Sequence, residues 1–122
     1  MNDKILLVDD SALARRSLRA ILEPAGYDVI DSGDGMQALE KYYLERPAVV
    51  LLDLVMKDMN GFDVLGKLRE MDPNARVIVV SADIQHSSHE LAEAAGASGF
   101  IHKPVDPASV VKLVAEVLAV RT

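Results

Sequence analysis

The 122-residue chain has no cysteine and no tryptophan, and its two Phe and three Tyr make up only 4% of it. Without cysteine there are no disulfides, thiolate metal ligands or cysteine nucleophiles, and a reducing compartment is the simplest setting. So few rings leave nothing from which to build a base-stacking platform. Positive charge is in deficit as well: 13 Lys+Arg against 19 Asp+Glu give a formal charge of −6, which opposes binding to a phosphate backbone. Long apolar runs are missing too, since Ile5 to Val8 stops at Asp9-Asp10 and nothing approaches the roughly 18 apolar residues of a membrane span. The expectation is a soluble cytoplasmic protein that binds neither nucleic acid nor membrane, with 1–122 forming one domain.

What is present is aliphatic. Half of the residues are hydrophobic, enough for a sizeable core. Ile5 to Val8, Val49 to Leu52 and Val77 to Val80 are apolar without alternation and rich in β-branched residues, as expected of parallel strands covered on both faces. Between them, Ala14, Leu18, Ile21, Leu22 and Ala25, and later Val64, Leu68 and Met71, recur at helical spacing. Tyr27 to Asp31 and Gly99 to His102 read as two further strands, with helices after them at Gly35 to Glu45 and Pro107 to Val120. The last helix carries the clearest signals: Asp106 as N-cap, Pro107 at the first helical position, and an apolar stripe of Val110, Leu113, Val114, Val117 and Leu118. Alternating strand and helix predict an α/β fold, a doubly wound parallel sheet with helices on both faces. Ligands of such sheets sit at the carboxyl ends of the strands, where the strand order reverses.

Those ends are polar. The first strand runs into Asp9-Asp10, the third into Asp53, the fourth into Ser81 and the fifth into Lys103-Pro104. Three converging carboxylates raise one another's pKa unless a cation neutralises them. All-oxygen donors favour a hard ion, and an open carboxylate site suits Mg²⁺, which keeps several waters. Three Asp and one Lys sum to −2, which one Mg²⁺ cancels. A metal, the Lys103 point charge and the Ser81 hydroxyl are the parts phosphoryl transfer requires. Taken singly, each residue is equally explained as a strand terminator; all of them together at strand ends point to a shared site.

In these residues the chain resembles the receiver domains of two-component response regulators. The acidic pair is Asp9-Asp10, the phosphoacceptor motif reads Asp53-Leu54-Val55-Met56-Lys57-Asp58-Met59-Asn60-Gly61, the switch hydroxyl is Ser81, and the Lys-Pro pair is Lys103-Pro104. The resemblance implies a flavodoxin-like fold, five strands in order 2-1-3-4-5 with five helices. It implies that Asp53 accepts a phosphoryl group from the phosphohistidine of a histidine kinase or phosphotransfer protein, with Mg²⁺ as cofactor. Asp10, Asp53 and the backbone carbonyl of Val55 would be direct metal ligands and Asp9 a ligand largely through water. The Lys103-Pro104 peptide would be cis, as proline permits. Phe100 takes the aromatic switch position, and the fourth helix, fifth strand and fifth helix form the usual output face toward a downstream partner.

Two positions depart from the common pattern. Lys57 stands where Pro is frequent, and Val55 lacks the polar group many members carry, leaving Asp83 to orient an attacking water; the two residues together would tune the phosphorylated lifetime. The fourth helix, about Gln85 to Ala95, has only Ile84, Leu91, Ala94 and Ala95 for its inner face and should be the most lightly packed. His86 and His89 have a spacing that can hold zinc, but no third ligand is fixed beside them, so they read as a solvated surface. His102, the pair Tyr42-Tyr43, and Met56 with Met59 read as packing residues or the rim of the site.

The leading reading is therefore a stand-alone, chemotaxis-type or relay switch with no effector domain after Thr122, whose only chemistry is its own phosphotransfer and slow autodephosphorylation. A dehalogenase-type phosphatase would want a second Asp where Val55 stands. A flavin binder would want a hydroxyl- and Gly-rich loop where Asp9-Asp10-Ser11 stands. A degenerate, unphosphorylated receiver would not need Asp9, Asp10, Asp53, Ser81 and Lys103 together.

Overall fold

In the computed structural model, which describes residues 2–82 and 86–120, strands and helices alternate along the whole chain. The strands are β1 (Lys4–Val8), β2 (Asp28–Ser32), β3 (Val49–Asp53), β4 (Val77–Ser81) and β5 (Gly99–His102). The helices are α1 (Ala12–Leu22), α2 (Gly35–Glu45), α3 (Gly61–Met71), α4 (His86–Ala94) and α5 (Pro107–Ala119). All neighbouring strands pair in parallel, in the order β2-β1-β3-β4-β5. This is the flavodoxin-like doubly wound architecture.

The three uninterrupted apolar runs are the three inner strands, and β3 and β4 are buried at every position. Alternate side chains of each inner strand enter different halves of the core. Leu6, Val8, Val50, Leu52, Val77 and Val79 pack with residues of α2, α3 and α4. Ile5, Leu7, Val49, Leu51, Ile78 and Val80 pack with Leu18 and Leu22 of α1 and with Val110, Val114 and Val117 of α5. Right-handed crossovers impose this split: the chain turns one way after β1 and the other way after β3. The crevice between those two strand ends is where the order reverses.

Helix starts follow the expected capping chemistry. Asp106 precedes α5 and accepts from the Ser109 amide, with Pro107 in the first turn. Ser11, Asp34 and Asn60 cap α1, α2 and α3 in the same way.

Several local expectations shift. The second strand begins at Asp28, one residue later than expected, because Tyr27 still belongs to the turn leaving α1 and its amide donates to the Leu22 carbonyl. Ala25 lies beyond the end of α1 and is exposed, so the apolar stripe stops at Leu22. The last helix ends at Ala119, where Val120 is extended. Among the described side chains of α4 the buried one is Ala92; Leu91 is 57% exposed and Ala94 is exposed as well. Burying Ala92 with the half-buried Ala95 lets the α4 backbone lie close to the sheet, a position from which a leucine would hold it away. Tyr42 is buried and donates its hydroxyl to Asp72 at 2.7 Å, whereas Tyr43 is 63% exposed beside the Arg46 guanidinium. Asp83 and Ile84 lie outside the described residues, as does the side chain of His86.

Candidate functional site: an acidic cluster with one lysine

Asp9 directly follows β1, Asp53 is the last residue of β3, and Asp10 begins the next loop, so all three stand at the crevice between β1 and β3. One carboxylate oxygen from each falls within 4.8 Å of the others. Asp9 and Asp53 are buried, at 3% and 8% exposure, while Asp10 faces solvent. Lys103, just beyond β5, places Nζ 3.0 Å from Asp9 Oδ2 and 3.6 Å from Asp53 Oδ2. The Lys103-Pro104 peptide is cis, and the Lys103 amide donates to the Ser81 carbonyl at 2.8 Å. Ser81 ends β4, fully buried, in register with His102.

Each carboxylate is oriented by a main-chain donor. The Ser11 amide donates to Asp9 Oδ1 at 2.8 Å, the Val55 amide to Asp53 Oδ1 at 3.2 Å, and the Lys57 amide to Asp10 Oδ2 at 3.1 Å. The last of these gives Lys57 a specific consequence, because a proline at that position has no N–H to donate. Arg15 holds the Asp9 carbonyl through Nη1 at 2.5 Å and reaches Asp31 at 3.5 Å. Asp58 accepts from the Gly35 amide at 2.8 Å, tying the loop after β3 to the start of α2. At Gly61 no side chain fits: a Cβ would come 2.4 Å from Leu54 Cα and 2.8 Å from the Asp53 carbonyl oxygen.

Burial raises the pKa of Asp53; the Val55 hydrogen bond and Lys103 pull it back down, and the charges of Asp9 and Asp10 push it up. Burial alone would lower the pKa of Lys103, but the hydrogen bond it donates to Asp9 and the charges of Asp53 and Asp9 outweigh it and hold the ammonium above its ordinary value. The cluster is thus three carboxylates against one firmly protonated amine. Its donors are all hard oxygens, its formal charge is −2, and two of its carboxylates are buried beside each other. A divalent hard cation fits this set in charge and donor type.

Phe100 of β5 is half-buried and packs against the α2–α4 side of the core. The rings of His89 on α4 and His102 each lie 4.9 Å from the Phe100 ring, centroid to centroid. His102 is itself exposed. His89 pairs with Glu93 at 3.2 Å. Met56 and Met59 are half-buried and pack against the core, with Met59 lying over Gly35. Val55 is 72% exposed beside Asp53. Arg15 was not singled out from the sequence, whereas Asp58 and Gly61 stood there only as members of the phosphoacceptor motif, with no role of their own.

Residues 5–115 match the response regulator receiver domain family. The chain is 41% identical over 113 residues to the chemotaxis protein CheY of Thermotoga maritima, covering 92% of this chain and 94% of that one. It is 37% identical over 110 residues to sporulation initiation phosphotransferase F of Bacillus subtilis, covering 87% and 86%. Among solved structures, it is similar to CheY in the CheX–CheY–BeF3–Mg complex of Borrelia burgdorferi, with TM-score 0.92, 35% identity and coverage of 97% and 90%. Fold, strand-end chemistry and sequence agree: the chain belongs to the response regulator receiver domain family, whose members are phosphorylation-activated signalling switches.

Proposed function

We propose that Asp53 is the phosphoacceptor of this receiver and that Mg²⁺ is held by Asp10, Asp53 and the backbone carbonyl of Val55, with Asp9 acting largely through water. The observation that carries this reading is the position of Lys103 Nζ, which contacts Asp9 at 3.0 Å and stands 3.6 Å from Asp53. Magnesium bound there would supply the positive charge that balances the incoming phosphoryl oxygens. The rest falls to the chain itself. An oxygen of the Asp53 carboxylate forms the O–P bond as the P–N bond of the donor's phosphohistidine breaks, and the electron pair leaves with the imidazole, which takes up a proton. Lys103 stands where charge gathers on the phosphoryl group, and such preorganised charge is the main source of catalysis in these transfers.

The phosphodonor is a histidine kinase or phosphotransfer protein, a reading supported by the likeness to a chemotaxis protein and a sporulation phosphotransferase. Ser81 and Phe100 carry the phosphorylation signal to the face formed by α4, β5 and α5, where a downstream protein binds. Ala92, the buried residue among the described side chains of α4, is small and leaves that helix lightly held, which suits an element that shifts between two states. Val55 offers an attacking water no hydrogen bond, and we read the acyl phosphate as long-lived for that reason; Asp83, the other lifetime position, lies outside the described residues. No helix among the described residues is long and apolar enough to cross a membrane, and the reading is of a cytoplasmic switch.

The test is labelling with acetyl phosphate and Mg²⁺ followed by mass spectrometry. One adduct at Asp53 is expected, and an Asp53→Asn variant labelled to the wild-type level would overturn the assignment. Capture of binding proteins with and without beryllofluoride should yield an output partner only in the activated form.

A further inference from the structure

We propose that this protein binds small amphipathic monocarboxylic acids in a cavity at the edge of the sheet opposite the Asp53 cluster. The cavity measures about 470 Å³ and lies between the end of α3, the starts of β4 and β5, and the last turns of α5. That volume is within the range of small-molecule sites. It is built from two guanidinium groups facing an apolar wall.

Arg69 and Arg76 are both partly exposed, and each is oriented by a main-chain carbonyl. Arg69 donates Nη1 to the Ala75 carbonyl at 2.9 Å, and Arg76 donates Nη2 to the Val120 carbonyl at 2.8 Å. Arg69 is also seated against the backbone at Gly96, where φ is +96° and a Cβ would approach Nε to 2.8 Å. A guanidinium has five N–H donors, so one hydrogen bond orients each fork and leaves further donors for a ligand. Among the described residues neither arginine has a carboxylate within salt-bridge distance, although Asp72 lies near enough for its charge and that of Arg69 to act on each other. Opposite them, α5 presents Leu113 and Val117 at helical spacing, with Glu116 on the exposed rim.

Charge selects the ligand class. Two arginines and one glutamate leave the lining at +1, in a chain whose total is −6. A single carboxylate balances that charge and accepts from a planar fork. A phosphate dianion overshoots it and meets Glu116, whereas an alcohol leaves the guanidinium groups unmatched. The apolar wall calls for an aliphatic or aryl body behind the carboxylate.

The test is an NMR titration of the uniformly labelled whole chain with sodium octanoate, with octanol and inorganic phosphate run in parallel. Saturable shifts are expected at the amides of Arg69, Ala75, Ser98 and Val117 and not at Asp9 or Asp53. Arg76→Gln should weaken octanoate at least about tenfold, the scale of one charge-assisted hydrogen bond. Glu116→Gln, at an exposed position that leaves the fold intact, should tighten octanoate about twofold to fivefold and improve phosphate binding. Octanol binding as tightly as octanoate, shifts centred on the Asp53 end, or no change in affinity for Glu116→Gln would each overturn the proposal.

Discussion

Replacing Asp53 by Asn should stabilise the protein at neutral pH in the absence of divalent cations. Asp53 lies within 4.8 Å of both Asp9 and Asp10. At an effective dielectric of about 20, one such contact costs at least about 3.5 kcal/mol, and the exposure of Asp10 cuts its share to about 1 kcal/mol. Lys103 Nζ at 3.6 Å returns about 4.6 kcal/mol on the same scale. Repulsion and attraction therefore nearly cancel, and burial of the carboxylate decides the sign. We expect Asn to gain on the order of 1–2 kcal/mol, while Lys103 keeps its contact with Asp9. For a chain of this length that is a rise in Tm of about 4–8 °C.

The pH dependence follows from the raised pKa of Asp53. Between its ordinary and its raised value the native state binds more protons than the unfolded state, so wild-type stability falls as pH rises through that window. The advantage of the Asn variant is therefore complete above the raised pKa and disappears below the ordinary carboxylate value of about 3.9. Circular dichroism melts at neutral pH and near pH 3.5, each with and without millimolar Mg²⁺, measure both effects. Mg²⁺ should raise the Tm of the wild type and close the gap. A neutral-pH Tm for Asp53→Asn at or below wild type, or a gain independent of pH, would refute the electrostatic reasoning.

Asp10→Ala removes a proposed direct ligand, and calorimetric titration should show Mg²⁺ affinity reduced at least about tenfold; unchanged affinity would place the metal elsewhere. Gly61→Ala drives a Cβ into the Leu54 backbone, and a loss of about 1–3 kcal/mol is expected in urea unfolding, with slower acetyl phosphate labelling because the same clash displaces Asp53. Val55→Asn supplies a hydrogen-bonding group beside the acyl phosphate, and loss of label should be faster than in wild type; an equal or slower rate would remove Val55 from control of water access. Tyr42→Phe breaks the 2.7 Å bond to Asp72 and should cost about 0.5–1.5 kcal/mol in the same unfolding assay.

The alternation of strands and helices, the buried character of β1, β3 and β4, the start of α5 and the set of polar residues at the strand ends can all be read from the order of amino acids. These are legible because a strand covered on both faces leaves an uninterrupted apolar run and a helix cap leaves a particular side chain, so local chemistry announces each. The strand order could be anticipated only through the family resemblance, since pairing is a long-range choice that no single run encodes. The edge strand β2 is half-exposed and has no such run, and its start slipped by one residue. The polar surface of α4 carries too weak a stripe to show that Ala92 faces the sheet rather than Leu91. How the cluster is held emerges on folding: the Lys57 amide on Asp10, the Gly35 amide on Asp58 and the Asp9 carbonyl on Arg15. In each of these one partner is main chain, and the amide and carbonyl are alike in nearly every residue. No pattern of side chains can say which of them the fold will bring within reach.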